Sequence, residues 1–349
     1  MGIRPKIIAG PCSAETKEQL LQTAEQLSAR EIDYFRAGIW KPRTRPGAFE
    51  GSSYSALPWL LEVKEKYGFK ICTEVAHPDH VEAVLKNGFD MVWIGARSTA
   101  NPFTVQEIAE SLKGVDIPVM IKNPTNPDMK LWIGAVERML NHGVRDISVI
   151  HRGFSVYEKH LYRNNPNWQI ALDLKRELPS VPLFCDPSHI SGRRHLIYDI
   201  AQKAMDLRYD GLMVETHYDP DSALTDKNQQ ITPSELFNIL SKLKLRDRRE
   251  FIDDRLKDYR EELNDIDQDL IELLKKRMDI SEQIGLYKKD LNMVIFQKSI
   301  WENAFKQNVK SALKSDLSED FASELFKIIH QESIVKQSNI FLNSADDED

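Results

Sequence analysis

The 349-residue sequence predicts an α/β protein: a closed (β/α)8 TIM barrel followed by a smaller all-α, three-helix domain that dimerises. Three observations predict it. Eight short apolar runs alternate with eight amphipathic stretches over about 245 residues, the signature of a parallel sheet with helical crossovers. The number of units and their length favour closure into a barrel over an open doubly wound sheet. After Leu245 the pattern changes to long helical periodicity without proline.

The apolar runs are KIIAG (6–10), YFRAGI (34–39), KICTEV (70–75), MVWIGA (91–96), PVMIKN (118–123), DISVIH (146–151), PLFCDP (182–187) and GLMVET (211–216). Each is short, bounded by turn residues and rich in β-formers, as a buried parallel strand requires. The helical stretches are 16–30, 56–67, 78–87, 104–112, 129–141, 168–177, 194–206 and 233–245. No GxGxxG turn follows the first run, which weighs against a dinucleotide-binding sheet. RDRREFIDD (246–254) is charged, has no core pattern and reads as a linker. A long helix then runs from Leu256 to about 290, with further helices expected at 297–313 and 318–340. The expected domains are therefore 1–245, 255–340 and an acidic tail, 341–349, whose end SADDED predicts disorder.

Composition excludes several function classes. The net charge of -7 argues against a nucleic-acid partner. No run of eighteen apolar residues exists, so no membrane span is expected. The N-terminus MGIRPKIIAGPCS leads straight into a strand pattern, so no cleavable signal is expected. Three cysteines are too few for a disulfide framework, and a reducing cytoplasm is the expected location. Against this acidic background the stretch FRAGIWKPRTRPGAFEG (35–51) concentrates Arg36, Lys41, Arg43 and Arg45. Such local positive charge calls for a small anion.

A barrel of this kind carries its chemistry at the C-terminal ends of its strands. Charged residues recur there: Cys12 after the first strand, Arg36 and Lys41 with the second, Glu74 and Arg97 at the ends of the third and fourth. Lys122, Arg152, Asp186 with His189, and Glu215 with Asp226 continue the series around the ring. Two sets emerge. Arg36, Lys41, Arg43, Arg97, Lys122 and Arg152 are cations suited to phosphate and carboxylate. Closure brings the seventh, eighth and first strands together, so Cys12, His189, Glu215 and Asp226 can meet. A thiolate, an imidazole and two carboxylates suit Mn, Fe, Co or Zn better than Mg or Ca. Alone, Cys12 would read as a small core residue and His189 as a hydrogen-bonded one. Their coincidence at one end of the barrel favours a site. Cys72 and Cys185 fall inside strands and read as core.

These residues also carry a resemblance. GPCS (10–13), KPRT (41–44), GAR (95–97), HRG (151–153), DPSHISGR (186–193) and VETHYDPDSALTD (214–226) resemble 3-deoxy-D-arabino-heptulosonate 7-phosphate (DAHP) synthase over nearly all of 1–245, in its compact, bare-barrel form. The resemblance implies condensation of phosphoenolpyruvate with erythrose 4-phosphate. It implies Cys12, His189, Glu215 and Asp226 as ligands of a divalent transition metal. It places Arg36, Lys41, Ala96, Arg97, Lys122, Arg152 and His189 on phosphoenolpyruvate, and Lys41, Pro42, Arg43, Thr44 and Asp226 on erythrose 4-phosphate. The related octulosonate-phosphate synthases share this barrel and chemistry with a five-carbon sugar phosphate, and KPRT resembles the four-carbon enzymes.

In the long helix, Leu263, Leu270, Arg277 and Ile284 fall in one seven-residue register, while Arg260, Asp267, Leu274, Ser281 and Lys288 fall in the other. Cations thus interrupt an apolar stripe, which an ordinary helix seam also tolerates. Arg277 and Lys288, eleven residues apart, differ by about 20° at 100° per residue. Arg260 lies roughly 25 Å from Arg277 at 1.5 Å per residue, so a shared ligand requires Arg260 from a second, antiparallel chain. Arg260, IDQDLIELLKKR (266–277), GLYK (285–288) and SIVKQ (333–337) resemble the all-helical chorismate mutases over about 255–338. That resemblance implies a homodimer in which Arg277 and the partner subunit's Arg260 hold the two carboxylates of chorismate. Lys288 and Gln337 would serve the ether oxygen as prephenate forms, with Ser333 one turn before Gln337. The second helix departs from the family: Gln297, Ile300 and Trp301 stand where an acid, Arg and Glu are usual, with Glu302 one position late. Two readings follow for this part, a working mutase or a chorismate- or prephenate-sensing dimerisation module acting on the barrel.

Overall fold

The computed structural model describes residues 4–41, 47, 49–157, 161–246 and 253–342. It divides into two compact units, Met1–Arg248 and Arg249–Asp349. The first is a closed barrel of eight strands in chain order, each parallel to its neighbours, with β1 closing against β8. The strands are β1 (Lys6–Gly10), β2 (Tyr34–Arg36), β3 (Ile71–Val75), β4 (Met91–Ile94), β5 (Val119–Lys122), β6 (Ile147–His151), β7 (Leu183–Cys185) and β8 (Gly211–Glu215). The helices are α1 (Lys17–Leu27), α2 (Leu57–Tyr67), α3 (Pro78–Lys86), α4 (Ala96–Thr99), α5 (Pro102–Ser111), α6 (Met129–Asn141), α7 (Trp168–Glu177), α8 (Pro187–Ser191), α9 (Ile197–Asp206) and α10 (Pro233–Lys242).

All eight expected strands are present, but most are shorter than their apolar runs. Two additional short helices account for part of the difference. GAR was expected to end the fourth strand; instead Gly95 caps α4, and Arg97 lies one residue inside that helix. Residues 186–191 likewise leave β7 to form α8, capped by the Asp186 carboxylate accepting from His189 N at 3.0 Å. Pro78, Pro102, Pro187 and Pro233 each occupy the first helical position, where a missing N–H removes no helical bond. Thr232 and Glu235 form a reciprocal cap that starts α10.

Side-chain alternation separates two cores. Ile8, Cys72, Met91, Trp93, Met120, Ile150, Phe184 and Met213 fill the barrel interior. Ile7, Phe35, Ile71, Val92, Val119, Val149, Leu183 and Leu212 face outward into the helical shell. Cys72 and Cys185 are buried core residues, as expected. The interior plug is apolar at its base and gives way to charged side chains at the strand C-terminal ends. Gly10 marks that level: its φ is +144°, and a Cβ there would stand 2.0 Å from the carbonyl oxygen of Arg36.

The second unit contains α11 (Asp254–Asp290), α12 (Lys298–Lys314) and α13 (Glu319–Leu342), with α13 packed on both others. α11 has 37 residues, roughly 55 Å at 1.5 Å per residue. Its buried residues are Ser281 and Gly285. A Cβ on Gly285 would lie 3.0 Å from Ile340 Cδ1 and 3.1 Å from Gln337 Cγ, so glycine lets α13 approach closely at this point. Leu263, Ile266, Leu270, Ile271 and Leu273 all remain exposed. Among the described residues, no helix is long and apolar enough to cross a membrane.

Candidate functional site

The barrel mouth gathers the predicted charges at one level. Cys12, Glu215 and Asp226 offer ligand atoms lying within 4.8 Å of one another. His189 joins from α8, its Nε2 3.8 Å from Glu215 Oε1 and 4.0 Å from Asp226 Oδ2. Burial drives the Cys12 thiol up to about 12, with Glu215 adding to the effect and Lys41 opposing it. Burial also raises the Asp226 carboxyl, but His189, Arg163 and Lys41 outweigh it and pull the group well below the carboxylate range. Asp226 adopts a left-handed backbone, φ +48°, a region asparagine and aspartate enter more readily than most residues.

The donor set fits a divalent cation. Glu215 is fully buried; its Oε2 accepts from Gln229 Nε2 at 2.7 Å, whereas Oε1 has no hydrogen-bond partner. A thiolate buried beside two carboxylates is unfavourable, and a bound cation would offset the cost of ionising Cys12. Thiol, imidazole and carboxylate together match a borderline-soft metal.

The cations surround this group. Arg36 is 1% exposed, with Nη2 3.2 Å from Glu215 Oε1 and 3.3 Å from the Cys12 carbonyl. Its guanidinium lies over the Trp93 ring at 4.9 Å, yet Nε and Nη1 have no hydrogen-bond partner. Lys41 Nζ donates to Cys12 Sγ at 3.1 Å. Lys122 Nζ donates to Asp186 Oδ2 at 2.8 Å, the same carboxylate oxygen that stands 2.8 Å from His189 Nδ1. Arg152 Nη1 donates to Asn164 Oδ1 at 2.9 Å. Burial is the main influence on Arg152 and pushes it down to about 10, with Arg163 and Arg97 adding repulsion that Asp186 offsets in part. Lys41, Ala96, Arg97, Lys122, Arg152, His189 and Asp226 line a cavity of about 90 Å³ together with Glu74, Gly95 and Arg163. Crowded cations in a small polar cavity specify a multiply charged anion.

Pro42, Arg43 and Thr44 lie outside the described residues. Several supporting side chains were not assigned a role from sequence. Asp186 binds both Lys122 and His189; its place as cap of a D-P-S-H turn was the legible signal. Arg163 donates to Asp226 Oδ1 at 3.0 Å and to Gln229, from a loop whose sequence has no periodicity to read. Gln230 accepts from Cys12 N at 2.9 Å and donates to the Thr225 carbonyl at 2.8 Å, so adjacent glutamines brace Glu215 and Cys12.

The second unit brings Arg277, Lys288, Ser333 and Gln337 together. Arg277 Nη1 donates to Ser333 Oγ at 2.6 Å, and Lys288 Nζ donates to Gln337 Oε1 at 3.2 Å and to the Ile295 carbonyl at 2.6 Å. Burial lowers both cations from their ordinary values. Arg260 is exposed near the start of α11 and is not brought to this group within one chain.

Residues 2–249 match the model of the DAHP synthetase I family. The chain belongs to that family. Residues 259–338 match the model of chorismate mutase type II, so a domain of that kind follows the synthase domain. A phospho-2-dehydro-3-deoxyheptonate aldolase of Thermotoga maritima is 34% identical over 225 residues, 64% of this chain and 64% of that relative. The chain therefore spans slightly under two thirds of that relative's length. A 2-dehydro-3-deoxyphosphooctonate aldolase of Desulfatibacillum aliphaticivorans is 29% identical, covering 68% of this chain and 90% of its own. The crystal structure of DAHP synthase from Thermotoga maritima superposes with a TM-score of 0.61 at 30% identity, covering 68% of this chain and 67% of that one.

Proposed function

We propose that the chain is a bifunctional enzyme of aromatic biosynthesis. The barrel condenses phosphoenolpyruvate with erythrose 4-phosphate to DAHP and phosphate, and the helical domain rearranges chorismate to prephenate. The observation that carries the first half is Arg36. It is a buried guanidinium with two unpartnered nitrogens, set beside a thiol, imidazole and carboxylate group.

In this reading Arg36, Lys41, Ala96, Arg97, Lys122, Arg152 and His189 hold the phosphate and carboxylate of phosphoenolpyruvate. Lys41, Pro42, Arg43, Thr44 and Asp226 receive erythrose 4-phosphate. Cys12, His189, Glu215 and Asp226 would hold a divalent cation, Mn, Fe, Co or Zn, whose chemistry is Lewis-acid polarisation of the aldehyde. The enol carbon bonds to the aldehyde carbon, water adds at the phosphate-bearing carbon, and phosphate leaves. Through these steps the arginines offset negative charge without reorganising. Lys122 is fixed by Asp186 and Lys41 by Cys12, so both present their protons in defined directions.

The mutase reaction needs positioning and charge stabilisation rather than covalent help. Arg277, oriented by Ser333, takes one carboxylate, and Arg260 of the partner subunit takes the other. Lys288 and Gln337 serve the ether oxygen. The exposed stripe Leu263, Ile266, Leu270 and Leu273 supports a homodimer through α11. The substrates are soluble metabolites, and the reading places the enzyme in the cytoplasm.

A second reading has one observation in its favour. Ile300 is 62% exposed and Trp301 stacks on a histidine, where the family usually has Arg and Glu. A domain lacking those charges would sense chorismate or prephenate and restrain the barrel. Ultraviolet assay of chorismate loss, with Arg277→Ala as control, separates the two. Loss by wild type alone establishes the mutase; no loss by either leaves a sensing and dimerisation module.

A further inference from the structure

We propose that His330 binds the ring hydroxyl of chorismate in the helical domain, held in place by Trp301. The inference rests on the mutase reading and adds a residue which that reading does not use. His330, Ser333 and Gln337 follow one another on α13 at steps of three and four, so they share one helix face. Arg277 binds Ser333 and Lys288 binds Gln337, which fixes that face against the cations of α11. Burial, followed by the nearby Arg277 and Lys288, keeps the His330 imidazole below its ordinary range. The ring is therefore neutral at physiological pH.

The imidazole is clamped. Trp301 stacks on it at 3.7 Å between centroids and 10° between planes, and Phe296 lies at 6.0 Å. Its Nε2 is buried and has no hydrogen-bond partner. A buried ring nitrogen without a partner is uncommon in a folded protein, and on the face shared with Ser333 and Gln337 it offers a ligand a hydrogen-bond site once the partly exposed His330 side chain shifts.

The inventory of chorismate identifies the group. It has two carboxylates, an ether oxygen and one secondary hydroxyl. The carboxylates go to arginines and the ether oxygen to Lys288 and Gln337, leaving the hydroxyl. A hydroxyl both donates and accepts, so it pairs with a neutral imidazole in either tautomer. The substitution at 301 then has a purpose: an acidic side chain cannot stack, whereas Trp301 supplies the flat face that orients His330. The rival is Gln297, half-buried on a cavity of about 420 Å³ that also includes Lys288.

The test compares wild type, His330→Phe and Gln297→Ala in the full chain. The substrates are chorismate and an analogue with hydrogen in place of the ring hydroxyl. Phenylalanine preserves the stack and removes the nitrogen. We expect His330→Phe to lower kcat/KM for chorismate by roughly tenfold to a hundredfold, the scale of one hydrogen-bonding group left without its partner. The analogue should be turned over equally by wild type and His330→Phe, with the melting temperature and synthase rate unchanged. Equal penalties on both substrates would show a packing role and overturn the proposal. So would a hydroxyl-dependent penalty confined to Gln297→Ala. Failure of wild type to consume chorismate would instead overturn the mutase reading itself, and this proposal with it.

Discussion

Acidification should weaken the barrel through His151, a residue outside the catalytic group. His151 closes β6 and is 0% exposed among Trp132, Phe154, Trp168 and Tyr209. Its Nε2 meets the Pro166 carbonyl at 2.5 Å and its Nδ1 meets Tyr209 Oη at 2.9 Å. A carbonyl only accepts, so Nε2 carries the hydrogen and Nδ1 accepts from the tyrosine. Burial lowers His151 from 6.5 to about 4, with the Pro166 contact opposing and Arg152 reinforcing. Between those values the unfolded chain binds a proton that the folded chain refuses, so stability rises with pH across this window. The contribution is complete above pH 6.5 and lost as pH falls toward 4. At about 1.4 kcal/mol per unit, the interval is worth about 3 kcal/mol. The assay is denaturant unfolding followed by tryptophan fluorescence at pH 7.5, 6, 5 and 4.5, for wild type and His151→Gln. Other histidines contribute to the wild-type slope, so the difference between the proteins is the quantity of interest. Glutamine keeps a donor for Pro166 and cannot titrate, so the two curves should converge on acidification. Parallel curves would refute the reasoning.

Removing metal with a chelator should abolish DAHP formation while leaving chorismate consumption unchanged, measured on one preparation. Gln229→Leu removes the donor to Glu215 Oε2 and should weaken divalent-metal binding by roughly 10- to 100-fold, the usual effect of losing an outer-shell partner, read by metal titration. Gly95→Ala would put a Cβ 2.1 Å from Glu74 Oε1; synthase kcat/KM should fall with mutase turnover intact. Mixing inactive Arg260→Ala and Arg277→Ala chains should restore about a quarter of wild-type mutase activity. Half the dimers are then mixed, with one intact site of two in a symmetric pair; no recovery would exclude a shared site.

The family motifs and the strand periodicity were readable in the chain because both are local. A strand C-terminal end in a (β/α)8 barrel is a functional position by geometry, so Arg36, Lys122 and Glu215 could be placed at the barrel mouth from the sequence. Helical spacing aligned Arg277 with Lys288 and, separately, Ser333 with Gln337, while only the family resemblance implied that the two faces meet. The sequence also showed that Arg260 cannot reach Arg277 within one helix. Tertiary structure decided what no period encodes. It put Asp186 between Lys122 and His189, let Arg163 reach Asp226 across 63 residues, and joined Gln229 to Glu215 and Gln230 to Cys12. It also stacked His330 on Trp301 and left one nitrogen without a partner. Each of these joins loops or helices distant in sequence, and packing and hydrogen bonding across the fold, which no local period records, determined them.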